Sequence, residues 1–389
     1  SADVDHYLSV RGDKLHLLRW DQPAVDWTEH YKMSDVASKL DVFQRYIESK
    51  QAPRERSVVS RAVSVYRAVR ARGHKNGDRE AMLAFMAVLN VAWTHQDKKT
   101  SFTNHWLEAA EAGDAAQSLL GSIGIDMVVE QLLRPDMTNN KPPSIPLMLR
   151  HASGRIFQEA HYLALAPIQT DLFFDGQVKV AGPASKALGA FFTPTPLVRT
   201  LAEQSLNRVD LKSKRIHVFD PACGSGEFLR EAVRQLALRG YKGQVKVTGY
   251  DISPPACLMA RFGLAAEAAT FGGSLTINIE HRDALDGQEW VSGVDVCLMN
   301  PPFVAWVDMT ASQRETVSRV LGETHVKRPD MASAFVRLAV GSLSQSAVIG
   351  AVLPASFLDG NSSARLREFL LQGTTVELSA RLGNQAVFM

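Results

Sequence analysis

Through the first third of the chain, apolar residues recur at helical spacing. Val36 to Ser49, Ser57 to Arg72, Arg79 to Trp93 and a stretch from Trp106 to Leu133 interrupted by Gly113 and Gly121 each read as helix, and strand-like alternation is scarce. Residues 135–146 are crowded with turn formers and have no period, which predicts a linker and a domain boundary. Helical spacing resumes over 147–166, and short strands around Asp175-Gly176 fit residues 168–180. From Gly189 the texture changes. Apolar strands at Ile216 to Phe219, Val245 to Tyr250, Leu275 to Ile279, Val294 to Met299 and Ala347 to Leu353 alternate with helical patterns at Glu227 to Leu238, Pro255 to Ala268 and Met331 to Ser344. Asp330 stands where an N-cap would open the last of these helices. Such alternation predicts an α/β fold with a doubly wound, mostly parallel sheet covered on both faces. The expected organisation is a mainly helical N-terminal domain over 1–146, a helical connector over 147–188 and the α/β domain over 189–389.

Composition narrows this picture without redirecting it. With 389 residues, 46% hydrophobic and 22% charged, the chain can build two substantial cores. Its apolar stretches are too short for a membrane span, and the start at Ser1 has no basic-then-apolar leader, so the expected location is cytoplasmic. Cys223, Cys257 and Cys297 have no ligand-like spacing and no histidine cluster beside them. They read as small buried hydrophobes, and no metal is expected. The net charge of +2 demands no nucleic acid partner. Local clustering is more suggestive, since Arg56, Arg67 and Arg70 fall opposite the apolar face formed by Val58, Ala62, Val65 and Val69. Both a solvated helix face and a phosphate-contacting surface fit that pattern.

Two segments carry candidate chemistry. His217 to Leu229 runs from an apolar strand through Asp220-Pro221-Ala222-Cys223-Gly224-Ser225-Gly226 into a helix, so backbone can approach a nucleotide-like ligand without Cβ atoms in the way. No third glycine follows at the dinucleotide offset, which disfavours a pyrophosphate ligand. Further on, another apolar strand ends in Asn300-Pro301-Pro302-Phe303, a polar amide on a stiff shelf followed by an aromatic ring. Asp220, Asp251, Asp283 and Asn300 all sit just after predicted strand ends, where ligands collect in open α/β sheets. Asp251 suits either ribose hydroxyls or a helix N-cap. Asp283 suits either an adenine amino group or a turn, with Asp286 its rival.

Taken together and in this order, the two segments resemble the S-adenosylmethionine-dependent DNA adenine-N6 methyltransferases, a class I, Rossmann-like fold. The upstream Phe192-Thr193-Pro194, ahead of an expected N-cap at Thr195, resembles that family's first motif. The motif order resembles the gamma arrangement. The resemblance implies S-adenosylmethionine as cofactor, held by Thr193, Pro194, Asp220, Pro221, Ala222, Cys223, Gly224, Gly226, Phe228, Asp251, Ile252, Asp283 and Ala284, with Asn300 at the methyl end. It also implies a catalytic role for Asn300, Pro301, Pro302 and Phe303. The amide oxygen and the Pro301 carbonyl would accept the two hydrogens of a flipped-out adenine amine while Phe303 stacks on the base.

Double-stranded DNA is the implied substrate, within a restriction-modification or phage-defence system. Such enzymes normally continue through an antiparallel hairpin into a target-recognition domain. Thr374 to Leu382 is the expected sixth strand, with the remainder supplied by a longer polypeptide or by a specificity or restriction subunit. Three other readings compete: methylation of a protein glutamine, methylation of RNA adenine, and a non-catalytic subunit that only binds cofactor and DNA.

Overall fold

The computed structural model describes residues 6–19, 29–43, 54–72, 78–96, 121, 124–134, 145, 193, 195–268 and 271–381. The chain divides into two compact units, Ser1–Ile156 and Phe157–Met389. The expected linker at 135–146 lies outside the described residues apart from Ile145, as do the connector at 147–188, the strands proposed within 168–180 and Pro194.

The first unit opens with a feature the hydrophobic spacing does not announce. Strands β1 (His6–Arg11), β2 (Lys14–Arg19) and β3 (Glu29–Lys32) form an antiparallel sheet. Arg11 pairs with Lys14 across a two-residue turn in which Gly12 adopts φ +59, a conformation open to glycine at no steric cost. Helices α1 (Met33–Ser38), α2 (Arg54–Arg72), α3 (Asp78–Gln96) and α4 (Ile125–Leu133) follow. Ala62, Val65 and Val69 of α2 are buried on one face, as their spacing requires. Arg67 and Arg70 are half-buried and already engaged by other groups, whereas the side chain of Arg56 lies outside the described residues.

In the second unit, α5 (Thr195–Leu206) leads into β4 (Arg215–Asp220), α6 (Glu227–Leu238), β5 (Gln244–Asp251), α7 (Pro254–Ala268), β6 (Ser274–His281) and β7 (Val296–Met299). Beyond these come α8 (Ala311–Leu321), α9 (Met331–Ser342), β8 (Val348–Ala351), α10 (Ser356–Asp359) and α11 (Ala364–Gly373). The five strands pair in parallel in the order β6-β5-β4-β7-β8. Successive side chains of a strand face opposite ways, so Ile216 and Val218 join a core with α5, α6 and α7. Phe219, Cys297 and Met299 join a second core with α8, α9 and α11. All three cysteines are buried thiols.

The five strands and three helices expected between 216 and 353 recur within a few residues, and the Asp330 carboxylate caps α9 by accepting from Ser333 N at 2.9 Å. One expectation is corrected. Residues 374–381 form no strand, and Val376 and Leu378 stand 58% and 57% exposed. Alternating residues become a strand only when a neighbour supplies hydrogen bonds and a face to bury, and this segment pairs with none among the described residues.

Candidate functional site

The strand order reverses between β4 and β7: β5 and β6 extend to one side of β4, while β7 and β8 lie on the other. Val218 pairs with Val296 and Phe219 with Cys297, so the loop after Asp220 and the shelf beginning at Asn300 leave the same sheet edge side by side. A crevice at such a switch point is where doubly wound sheets receive ligands. Residues far apart in sequence thus meet for a topological reason.

The loop from 220 to 226 is shaped by short backbone bonds. Cys223 N donates to Tyr250 O at 2.9 Å, and Gly226 N donates to Cys223 O at 2.8 Å. Gly226 has φ +81, and a Cβ on it would stand 3.1 Å from Ala260 Cβ, so glycine alone lets α6 start this close to α7. Gly224 has φ +54, and a Cβ there would meet nothing within 4 Å. Its N–H donates to Asp251 Oδ2 at 2.9 Å, and Ser253 N donates to Asp251 Oδ1 at 2.8 Å. Asp251 therefore braces the loop through both of its carboxylate oxygens. Ile252, next in line, holds its side chain 67% exposed.

Asp283 Oδ1 accepts from Leu285 N at 2.9 Å, an Asx-type turn. Its rival Asp286 is committed to Arg282 at 3.1 Å and to Gln288 N at 2.8 Å. Against the opposing pull of burial, these donors hold Asp286 below its ordinary pKa. Sequence reasoning passed over Arg282. Its guanidinium lies 4.5 Å over the Tyr250 ring and also donates to Glu289 O, so it fastens the Asp283 loop to β5. The Arg282–Asp286 spacing of i, i+4 was the available signal. Trp290 Nε1 donates to Ala284 O from beneath at 2.8 Å. Phe228 and Ala284 are core residues, 4% and 3% exposed, and Pro221 and Cys223 are buried as well.

On the shelf, Asn300 Nδ2 donates to Thr193 Oγ1 at 2.7 Å, joining the Phe-Thr-Pro segment to the strand end. With its nitrogen held there, the amide is oriented and its oxygen is the end turned away from Thr193. Pro301 is buried, Pro302 is half-buried, and Phe303 packs on the α5 core while staying half-exposed. Val304 O accepts from Met331 N at 3.0 Å, anchoring the shelf to α9.

Asp220, 1% exposed, accepts from Ala222 N at 2.9 Å. Burial pushes its pKa from the ordinary 3.8 to about 8; Asp251 adds to the rise and the Ala222 bond opposes it. The folded chain thus keeps a proton that the unfolded chain releases, so this group's contribution to stability declines as pH rises from about 4 to about 8. Asp220→Asn keeps the acceptor for Ala222 and is expected to flatten that decline in thermal unfolding between pH 5 and about 8. Parallel curves for the two proteins would contradict a raised Asp220.

S-adenosylmethionine, the cofactor implied by the sequence resemblance, can be tested against this geometry. It requires an open glycine backbone, a braced carboxylate to face two hydroxyls, an apolar surface beside it and a second carboxylate for an amino group. Gly224, Asp251, Ile252 and Asp283 answer these needs in one row along the carboxyl ends of β4, β5 and β6. Among the described residues, no group of three or more His, Cys, Asp or Glu could hold a metal ion, and no helix is long and apolar enough to cross a membrane.

Comparison with known proteins adds an independent line. Residues 178–388 match the family model described as N-6 DNA Methylase. The chain is 24% identical over 215 residues to the type II methyltransferase M.BanIII of Aneurinibacillus aneurinilyticus, covering 52% of this chain and 37% of the relative. It is 27% identical over 191 residues to the type II methyltransferase M.VspI of Vibrio sp. strain 343, covering 49% and 43%. The chain thus spans less than half the length of these curated relatives. A solved type I restriction-modification methyltransferase subunit from Streptococcus thermophilus superposes over 82% of this chain and 79% of its own, at 15% identity and a TM-score of 0.41.

Proposed function

The chain belongs to the N-6 DNA Methylase family, and from that premise we propose that it transfers a methyl group from S-adenosylmethionine to the exocyclic N6 of an adenine in DNA, as part of a restriction-modification or related defence system. The observation that carries this reading is the Asn300–Thr193 bond of 2.7 Å on the strand beside the glycine turn. It presents an amide oxygen beside the loop suited to a nucleoside.

When bound, S-adenosylmethionine supplies a methyl group already activated on a sulfonium. Asp251 would accept from its ribose hydroxyls, Ile252 would lie against its adenine, and Asp283 would accept from the adenine amine. For the target base, Asn300 Oδ1 and the Pro301 carbonyl oxygen accept the two N6 hydrogens. That draws the nitrogen lone pair out of the ring and stabilises positive charge as the new bond forms. The two prolines keep both acceptors at a fixed separation. Phe303, half-exposed, offers its ring face to the base. The amine is hidden inside a duplex, so the nucleotide must rotate out to reach these acceptors. Duplex DNA is the proposed substrate, and a specificity subunit or further domain is the proposed source of sequence recognition.

The test is transfer of tritiated methyl from S-adenosylmethionine into unmethylated bacterial genomic DNA, followed by digestion to nucleosides. The expected product is N6-methyladenine. Label appearing instead in a glutamine-containing peptide or in RNA, with DNA inert, would assign the chain to a different substrate.

A further inference from the structure

Resting on the DNA reading above, we propose that Lys327 and Arg328 form a phosphate clamp, holding the backbone of the strand that carries the target adenine next to the extruded nucleotide. Lys327 has φ +55, the only non-glycine residue with positive φ among those described. For a lysine that conformation is strained, and strain of this kind tends to persist at ligand clamps. Among the described residues, no hydrogen bond or ion pair of Lys327 accounts for it. The side chains of Lys327 and Arg328 are both exposed, and among the described residues neither is ion-paired. Of the two acids near in sequence, Asp330 is turned into α9, where it accepts from both Ser333 N and Ser333 Oγ, and Glu323 is exposed and makes no ion pair with either cation.

This loop is fastened to the shelf. Met331 N donates to Val304 O, one residue beyond Phe303. His325 packs against Trp306 in a tilted arrangement, with ring centroids 5.4 Å apart and planes 33° from parallel. Arg314 closes the other side by donating to Trp306 O at 2.9 Å and Val307 O at 3.2 Å. The backbone that carries the two cations is thus tied to the segment just after the acceptors Asn300 and Pro301. A base rotated onto those acceptors leaves its own phosphates outside the pocket. Cations at the rim compensate that charge and position the backbone without reading sequence.

The experiment is fluorescence anisotropy of a short labelled duplex of mixed sequence, titrated with the full chain between about 50 and 200 mM salt. Asparagine tolerates the left-handed region, so Lys327→Asn with Arg328→Gln removes both charges without imposing new strain. Binding of S-adenosylhomocysteine is expected to stay unchanged. The slope of log affinity against log salt is expected to become shallower by roughly 0.9 per phosphate lost, about 1.8 for two. Lys327→Arg, keeping the charge, is expected to retain the parent slope. An unchanged slope in the double variant, while the parent still methylates DNA, overturns the clamp and leaves the function standing. A parent that labels only peptide removes the DNA reading and the clamp with it.

Discussion

Asn300→Ala is expected to lower methyl transfer about 100- to 1000-fold while leaving S-adenosylhomocysteine affinity nearly unchanged. Removing the amide deletes the acceptor fixed opposite Thr193, whereas the bonds that brace the cofactor loop run from Gly224 and Ser253 to Asp251 and do not pass through it. The loss should fall on kcat rather than on KM for the cofactor, because the acceptor acts most strongly once charge develops on the amine. Thr193→Val refines the point. It keeps the volume of the side chain but withdraws the oxygen that orients Asn300, so a smaller loss in the same direction is expected. Wild-type kcat in Asn300→Ala would exclude this amide from the chemistry.

The catalytic half of the fold was legible because its residues announce themselves locally. Ile216 to Phe219 and Val296 to Met299 are nearly continuous apolar runs, as strands buried on both faces must be, and Val245 to Tyr250 keeps apolar residues at Val245, Val247 and Tyr250. Each is followed at its carboxyl end by a polar residue, Asp220, Asp251 or Asn300. What could not be read is anything held together across space. The bond between Asn300 and Thr193, and the fastening of Asp283 by Arg282 over Tyr250, depend on which strands neighbour one another. Spacing along the chain does not contain that information.

Two elements went astray for opposite reasons. The hairpin at β1 and β2 was passed over although Gly12-Asp13 sits between runs of alternating residues, because helical spacing dominates the rest of that unit. Residues 374–381 carry the alternation of a strand but have no strand partner among the described residues. His217 shows how a chemistry-bearing residue can be structural. Its ring joins Thr248 Oγ1 at 2.9 Å and Gly293 O at 3.1 Å inside the sheet, and burial lowers its pKa.

Arg230→Met is expected to destabilise the second unit by about 3–5 kcal/mol, the usual result of removing one partner from a buried ionic group. Arg230 is 1% exposed on α6, with Nη1 3.2 Å from Glu227 and Nη2 3.5 Å from Glu267 of α7. Arg234 pairs with Glu267 and with Glu231, and Arg199 of α5 lies 3.5 Å from Glu231. Three cations thus balance three carboxylates across three helices, and burial alone would pull Arg230 below its ordinary pKa. Space for the guanidinium is left by Gly263, where a Cβ would stand 2.8 Å from Arg230 Cδ. Losing Arg230 strands carboxylate charge between α6 and α7, so adding Glu267→Gln should recover part of the loss. A double-mutant cycle by chemical denaturation would measure that coupling. The same two helices begin just after the glycine turn and just after Asp251. Loosening their contact should therefore weaken S-adenosylhomocysteine binding more than Asn300→Ala does. A strictly additive cycle with unchanged cofactor affinity would reduce the ionic cluster to filler.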